Sequence, residues 1–153
     1  MKRFLILPLT LCLCLGMVAC THVEDINGEQ ETGLATLTED QLTAKTPNYN
    51  ATFSVYSEGG ESSSLKVKKF SGVNVLDSVR IKEGTSSVTF TASTELSAGN
   101  LSVYVYRDGR ILGTLSLCQG ATLTLQDPEA GEYELRVAGE SAEFLVTYSI
   151  EVK

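Results

Sequence analysis

The chain has 153 residues, 42% of them hydrophobic and 20% charged, with thirteen Gly, three Pro and no Trp. That length holds one compact domain with short appendages and excludes a multidomain enzyme or a long repeat array; the composition excludes a disordered or collagen-like chain. A formal net charge of -7 argues against nucleic acid as a partner, because phosphate binding needs a clustered basic surface.

Residues 1–19 have the layout of a secretory signal. Lys2 and Arg3 supply the positive start, and Phe4 to Val18 form an uncharged stretch of 15 residues. A membrane-spanning helix wants roughly 20 apolar residues, and Pro8 weakens a permanent helix further, so cleavage is expected. Met17-Val18-Ala19 directly precedes Cys20. This arrangement resembles the lipobox of bacterial lipoprotein signal peptides, and the resemblance covers residues 1–21. It implies that Cys20 becomes the first residue of the mature chain, carrying a diacylglycerol thioether on sulfur and an acyl chain such as palmitate on its amine. The implied location is the bacterial cell envelope outside the cytoplasm, with membrane lipid as the partner of Cys20. Several acyl chains anchor stably where one binds only marginally. An ordinary secretory signal cut elsewhere is the alternative.

Cysteine usage agrees with an anchor. Cys12 and Cys14 lie in the discarded segment and Cys20 is consumed by lipid, which leaves Cys118 and no intramolecular disulfide. Cys118, after Leu115-Ser116-Leu117, reads as a strand-end residue packing as a small hydrophobe. Loss of Lys2 and Arg3 leaves ten basic against nineteen acidic residues, a mature charge of -9.

Residues 20–49 read as the lipidated Cys followed by an acidic flexible tether. Glu24, Asp25, Glu29, Glu31, Glu39 and Asp40 stand against a single Lys45, and the segment has few large apolar residues. As flexible chain it would reach about 30 Å. Thr38-Glu39-Asp40-Gln41 offers a capping box ahead of Leu42, enough for a turn or two of helix. Pro47 and Asn48 mark the expected entry to the folded domain. His22, the only histidine, sits in the tether without a nearby Cys, which argues against a metal site.

Residues 50–153 are expected to form an all-β, antiparallel two-sheet sandwich. Apolar residues recur at alternate positions in nine short runs, from Phe53/Val55 to Val146/Tyr148/Ile150/Val152, separated by Gly-containing turns such as Ser71-Gly72 and Ala98-Gly99-Asn100. Between Leu101 and Leu117, a three-residue loop Arg107-Asp108-Gly109 pairs Val105 with Ile111 and keeps the apolar residues on one face. Gly99-Asn100-Leu101-Ser102-Val103-Tyr104-Val105, Arg107-Asp108-Gly109 and Gly131-Glu132-Tyr133-Glu134-Leu135-Arg136-Val137 together resemble the jelly-roll modules of the bacterial pre-peptidase C-terminal type. The resemblance spans residues 86–153. It implies a non-catalytic, secreted or surface-attached accessory fold that binds carbohydrate or protein. Ser102 and Tyr104 replace the Asp-rich strand of those modules, which argues against calcium ligation.

The chemistry legible in the sequence is thin. The domain has no His for a Ser-His-acid hydrolase, and its one tight acidic group, Asp127-Pro128-Glu129, lies in an expected turn, so neither a catalytic residue nor a cofactor or metal is assigned. Glu132, Glu134, Glu140 and Glu143 read as solvated surface charges. Tyr104 and Tyr106 share the face opposite Val103 and Val105, with Arg107 beside them, and are the candidate ligand contacts; cross-strand pairing is the alternative use of the rings. Lys66, Lys68, Lys69, Arg80 and Lys82 read as edge-strand protection. The resulting expectation is a lipid-anchored, non-catalytic binding or scaffold module meeting a glycan or envelope protein. The alternatives are a subunit of a larger envelope complex and a small carboxylate-dependent hydrolase.

Overall fold

A computed structural model describes residues 34–153; the signal, Cys20 and the first part of the tether lie outside the described residues. The elements in order are a short helix α1 (Glu39–Leu42) and strands β1 (Tyr49–Asn50), β2 (Phe53–Gly59), β3 (Ser62–Ile81), β4 (Ser87–Arg107), β5 (Arg110–Leu115), β6 (Ala121–Gln126) and β7 (Gly131–Val152). All pairings are antiparallel.

Three strands are far longer than the sequence runs suggest: β3, β4 and β7 have 20, 21 and 22 residues. β7 lies between β3 and β4 for nearly its full length. Each of the three bends near its middle, where the ladder slips between Val67 and Gly72 and between Leu96 and Asn100. Lys69, Gly72, Gly99 and Ser141 all take positive φ there. A Cβ on Gly99 would lie 2.5 Å from the carbonyl oxygens of both Glu140 and Ser141, so the bend demands glycine for space as well as for backbone angle.

The bends double one seven-stranded sheet into two layers. The first contains β2, β6 and the halves of β3, β4 and β7 around residues 62–68, 87–96 and 142–152. The second contains β1, β5 and residues 72–81, 100–107 and 131–139 of the same three strands. Leu65, Val67, Phe90 and Val146 of the first layer share one core with Val103, Val105, Leu135 and Val137 of the second. The buried Tyr148 hydroxyl joins the layers by donating to the Leu76 carbonyl at 2.8 Å. The expected all-β sandwich is therefore present. The nine expected strands reduce to six, β2 to β7, because Ser71-Gly72, Ala98-Gly99-Asn100 and Gly139 bend a continuing strand instead of reversing it, and the seventh strand, β1, lies before the first expected run.

Three further expectations are corrected. The Asp108-Gly109 hairpin has a two-residue loop: Arg107 pairs with Arg110, and both loop residues have positive φ, as a type I′ turn requires. A register slip after Val105 then pairs Tyr106 with Ile111 and Val105 with Gly113, so a bulge in β5 does what the longer loop was invoked to do. Lys66 and Lys68 guard no edge, because β2 pairs along that side of β3.

The third correction concerns the tether. Residues 34–48 pack on the outside of the second layer, where Leu42 is buried together with Val73, Tyr104, Tyr106 and Ala138, and Leu34 and Leu37 pack against them. Thr38 does cap α1. Its backbone N–H donates to the Gln41 side-chain oxygen at 2.9 Å, and its hydroxyl accepts from the Gln41 N–H. The folded body thus starts before Pro47, and this strap is part of it.

Candidate functional site

The structure separates the three candidate ligand contacts. Tyr104 and Tyr106 point outward from the second layer, as their alternation with Val103 and Val105 dictates, but the strap covers them and they are 0% and 5% exposed. They are strap contacts, which corrects the expectation of exposed rings. Arg107, one residue further, lies at the opposite end of the sandwich from the bends.

The contacts beneath the strap centre on Arg136, which is fully buried. Its Nη1 donates to the carbonyls of Leu42 (3.2 Å) and Ala44 (2.8 Å), its Nε pairs with Glu134 at 2.6 Å, and its guanidinium carbon lies 3.4 Å from the centroid of the Tyr106 ring. The Tyr104 hydroxyl donates to the Leu42 carbonyl as well, at 2.8 Å. Burial pushes that hydroxyl up to about 12, with the Arg136 charge pulling the other way. At the bend, the Glu140 carboxylate accepts from the Thr36 N–H, from the Thr36 hydroxyl (2.7 Å) and from the Leu37 N–H (3.2 Å). The Thr36 hydroxyl and N–H, helped by Asn100, bring Glu140 down from 4.5 to about 2. Glu134 and Glu140 are therefore structural partners, not the free surface charges expected.

Arg107 belongs to a different environment. It lines a cavity of about 520 Å³ at the end where β4 turns into β5, together with Arg110, Leu112, Leu125, Glu129 and Tyr133 among others. Leu112 of β5 and Leu125 of β6 come from opposite layers, so the cavity is the mouth between them. Arg107 is largely committed: Nη1 meets Glu129 at 2.8 Å and the Tyr133 hydroxyl at 3.0 Å, and Nη2 donates to the Ala130 carbonyl at 3.3 Å. Its Nε is 3.2 Å from Asp108, close enough for charge attraction but too poorly aligned for a hydrogen bond. Burial opposes its charge, but the Glu129 hydrogen bond and the neighbouring carboxylates outweigh that and hold the guanidinium above its ordinary value.

Arg110, paired directly across the hairpin, makes no ion pair among the described residues and is exposed at the same mouth. The site therefore offers an apolar floor, a hydrogen-bonded Arg107–Glu129–Tyr133 wall and, in Arg110, a cation that makes no ion pair among the described residues. Among its residues the sequence singled out Arg107 and noted the Asp127-Pro128-Glu129 turn. Arg110, Leu112 and Leu125 were legible only as ordinary strand residues, because nothing local says that two layers part there. No family model matches the chain, and no curated protein matches it.

Proposed function

We propose that this is a lipid-anchored, non-catalytic binding module of the bacterial envelope, held to a membrane through Cys20, with the cavity between the layers as its ligand seat. The observation that carries the reading is polarity of the body. The strap enters beside Glu140 and Asn100 at the bend, whereas the cavity opens at the far end by Asp108 and Pro128. A chain tethered through its N-terminus would present such a seat away from the surface that holds it. A seat with an apolar floor, a few placed polar groups and an exposed Arg110 without an ion pair among the described residues fits a small amphipathic ligand bearing a negative charge.

Two measurements test this. Mass spectrometry of the mature N-terminus should find Cys20 with thioether and acyl masses, and Cys20→Ala should abolish both and the membrane association; an unmodified N-terminus overturns the anchor. Titration with 1-naphthoate should saturate and weaken in Arg110→Gln, while the neutral 1-naphthalenemethanol should bind both proteins alike. Equal binding of naphthoate by the two proteins, or none, overturns the seat.

A further inference from the structure

Both layers have an open edge on the side of β3, and the two edges differ. In the second layer, β1 covers only Gly72 and Ser71, so residues 74–81 of β3 run unpaired on that side among the described residues. That edge is blunted by an irregularity between Val75 and Asp77 and by the exposed charges of Asp77 and Arg80. In the first layer the edge is β2. It pairs with β3 in seven unbroken steps from Phe53↔Lys68 to Gly59↔Ser62, and every one of its residues is exposed. Phe53, Val55 and Tyr56 are 47%, 47% and 53% exposed. β2 has no Pro, no Lys and no bulge; Glu58 is its only charge. A flat, apolar edge of this length is a template for another strand.

We propose that β2 pairs antiparallel with β2 of a second copy, about a two-fold axis through Val55, making the two first layers one continuous sheet. Four features of the strand favour a second copy as the occupant and this register. Ser87 and Lys153 exchange both backbone hydrogen bonds, and alternation carried across the unbroken registers of β7, β3 and β2 turns the N–H and C=O groups of Phe53, Val55 and Ser57 toward β3 and those of Ser54, Tyr56 and Glu58 outward. A perpendicular two-fold axis places like faces together, which requires odd residues to meet odd residues. With Val55 opposite itself, Phe53 meets Ser57 and Tyr56 meets Ser54, each ring beside a small hydroxyl residue. Glu58 then lies opposite Thr52 of the second copy, beside Lys68 and Lys69. Lys68 is shared with Glu143 at 3.5 Å, but Lys69 makes no ion pair among the described residues. The single charge of the strand thus meets the cationic end of its mate.

The test uses the full chain with Cys118→Ala, purified in detergent with micelles in large excess over protein. Val55→Cys should form a disulfide-linked dimer on mild oxidation, since directly paired strand residues fall within disulfide reach; Arg80→Cys, on the blunted edge, should not. Sedimentation should show dimer growing with concentration. Ser54→Pro removes only an outward N–H, so the β2–β3 ladder is kept, and it should weaken association by about tenfold or more through the two symmetric hydrogen bonds it deletes. Unchanged circular dichroism would show that the fold survives. A monomer at all concentrations, equal cross-linking at positions 55 and 80, or association indifferent to Ser54→Pro overturns the proposal. Because none of these readouts depends on the lipid or on the cavity, their failure is distinct from failure of the proposed function.

Discussion

The two layers are built from the same three strands, yet their outer faces have opposite fates. In the first layer burial alternates along β4, with Val88, Phe90 and Ala92 inside and Thr89, Thr91 and Ser93 half-exposed between them. Past the bend the alternation stops: Leu101 to Tyr106 are buried without a break, and so are Leu135 to Gly139 of β7. The register lines the bare face with rows such as Thr122–Thr91–Ser149 and Ser93–Thr147–Ser64. The covered face carries Tyr104, Tyr106, Ala138 and Val73 and is closed by Leu42 of the strap. A sheet face is wet or dry according to what is laid over it, and the strap is recruited by one arginine that needs carbonyls.

The sharpest way to break the contrast is Arg136→Ala. Removing one member of a buried charge pair typically costs about 3–5 kcal/mol, because the other charge and the polar groups it satisfied stay behind. Here those are Glu134 and the carbonyls of Leu42 and Ala44. Denaturant unfolding should show a drop in midpoint of that order, and hydrogen exchange should show residues 38–45 losing protection while 87–96 keep theirs. Loss of less than about 1 kcal/mol would mean that the strap is held by its leucines alone. Tyr104→Phe is milder. It removes one of two donors to the Leu42 carbonyl while keeping the ring, so about 1 kcal/mol is expected by the same measurement.

How much of this the sequence disclosed depends on whether the signal was local. Alternation of Val88, Phe90 and Ala92 with Thr and Ser is local, and it located strand and face correctly in the first layer. The capping box at Thr38 is local too, and it forms. The strap as a whole was missed because its hydrophobic content is three leucines in a polar segment, too little to pack unaided and enough when a sheet already supplies Tyr104, Tyr106 and Arg136. A cue did exist: Tyr104, Tyr106, Ala138 and Ile111 put apolar surface where alternation demands a wet face. The fusion of runs into bent strands was hidden because Gly99 serves a bend as well as a turn. The cavity was invisible since Leu112 and Leu125 meet only through the fold.

Acid should sharpen the comparison without unfolding the sandwich. Glu140 is held down from 4.5 to about 2 by its hydrogen bonds to the strap. A depressed carboxylate contributes stability that is whole above the unfolded value, shrinks as pH falls below 4.5 and is gone once pH passes through about 2. The expected outcome is faster exchange of the Thr36 and Leu37 amides, relative to their intrinsic rates, as pH is lowered through that window. Glu140→Gln should remove most of the pH dependence. An unchanged acid response in that variant would assign the effect to another group.

The smallest effect belongs to the bare face. Thr91 and Thr122 face each other across β4 and β6, and the neighbouring Thr89 and Thr124 hydroxyls lie 3.0 Å apart. These β-branched side chains suit exposed strands by their stiffness, and their hydroxyls exchange readily with water, so each contributes little that solvent does not return. Thr91→Ala should therefore change stability by only about 0.5 kcal/mol or less, and no more than Thr122→Ala. If either costs as much as Tyr104→Phe, the hydroxyl rows act as a connected network, and the bare face is as specifically built as the covered one.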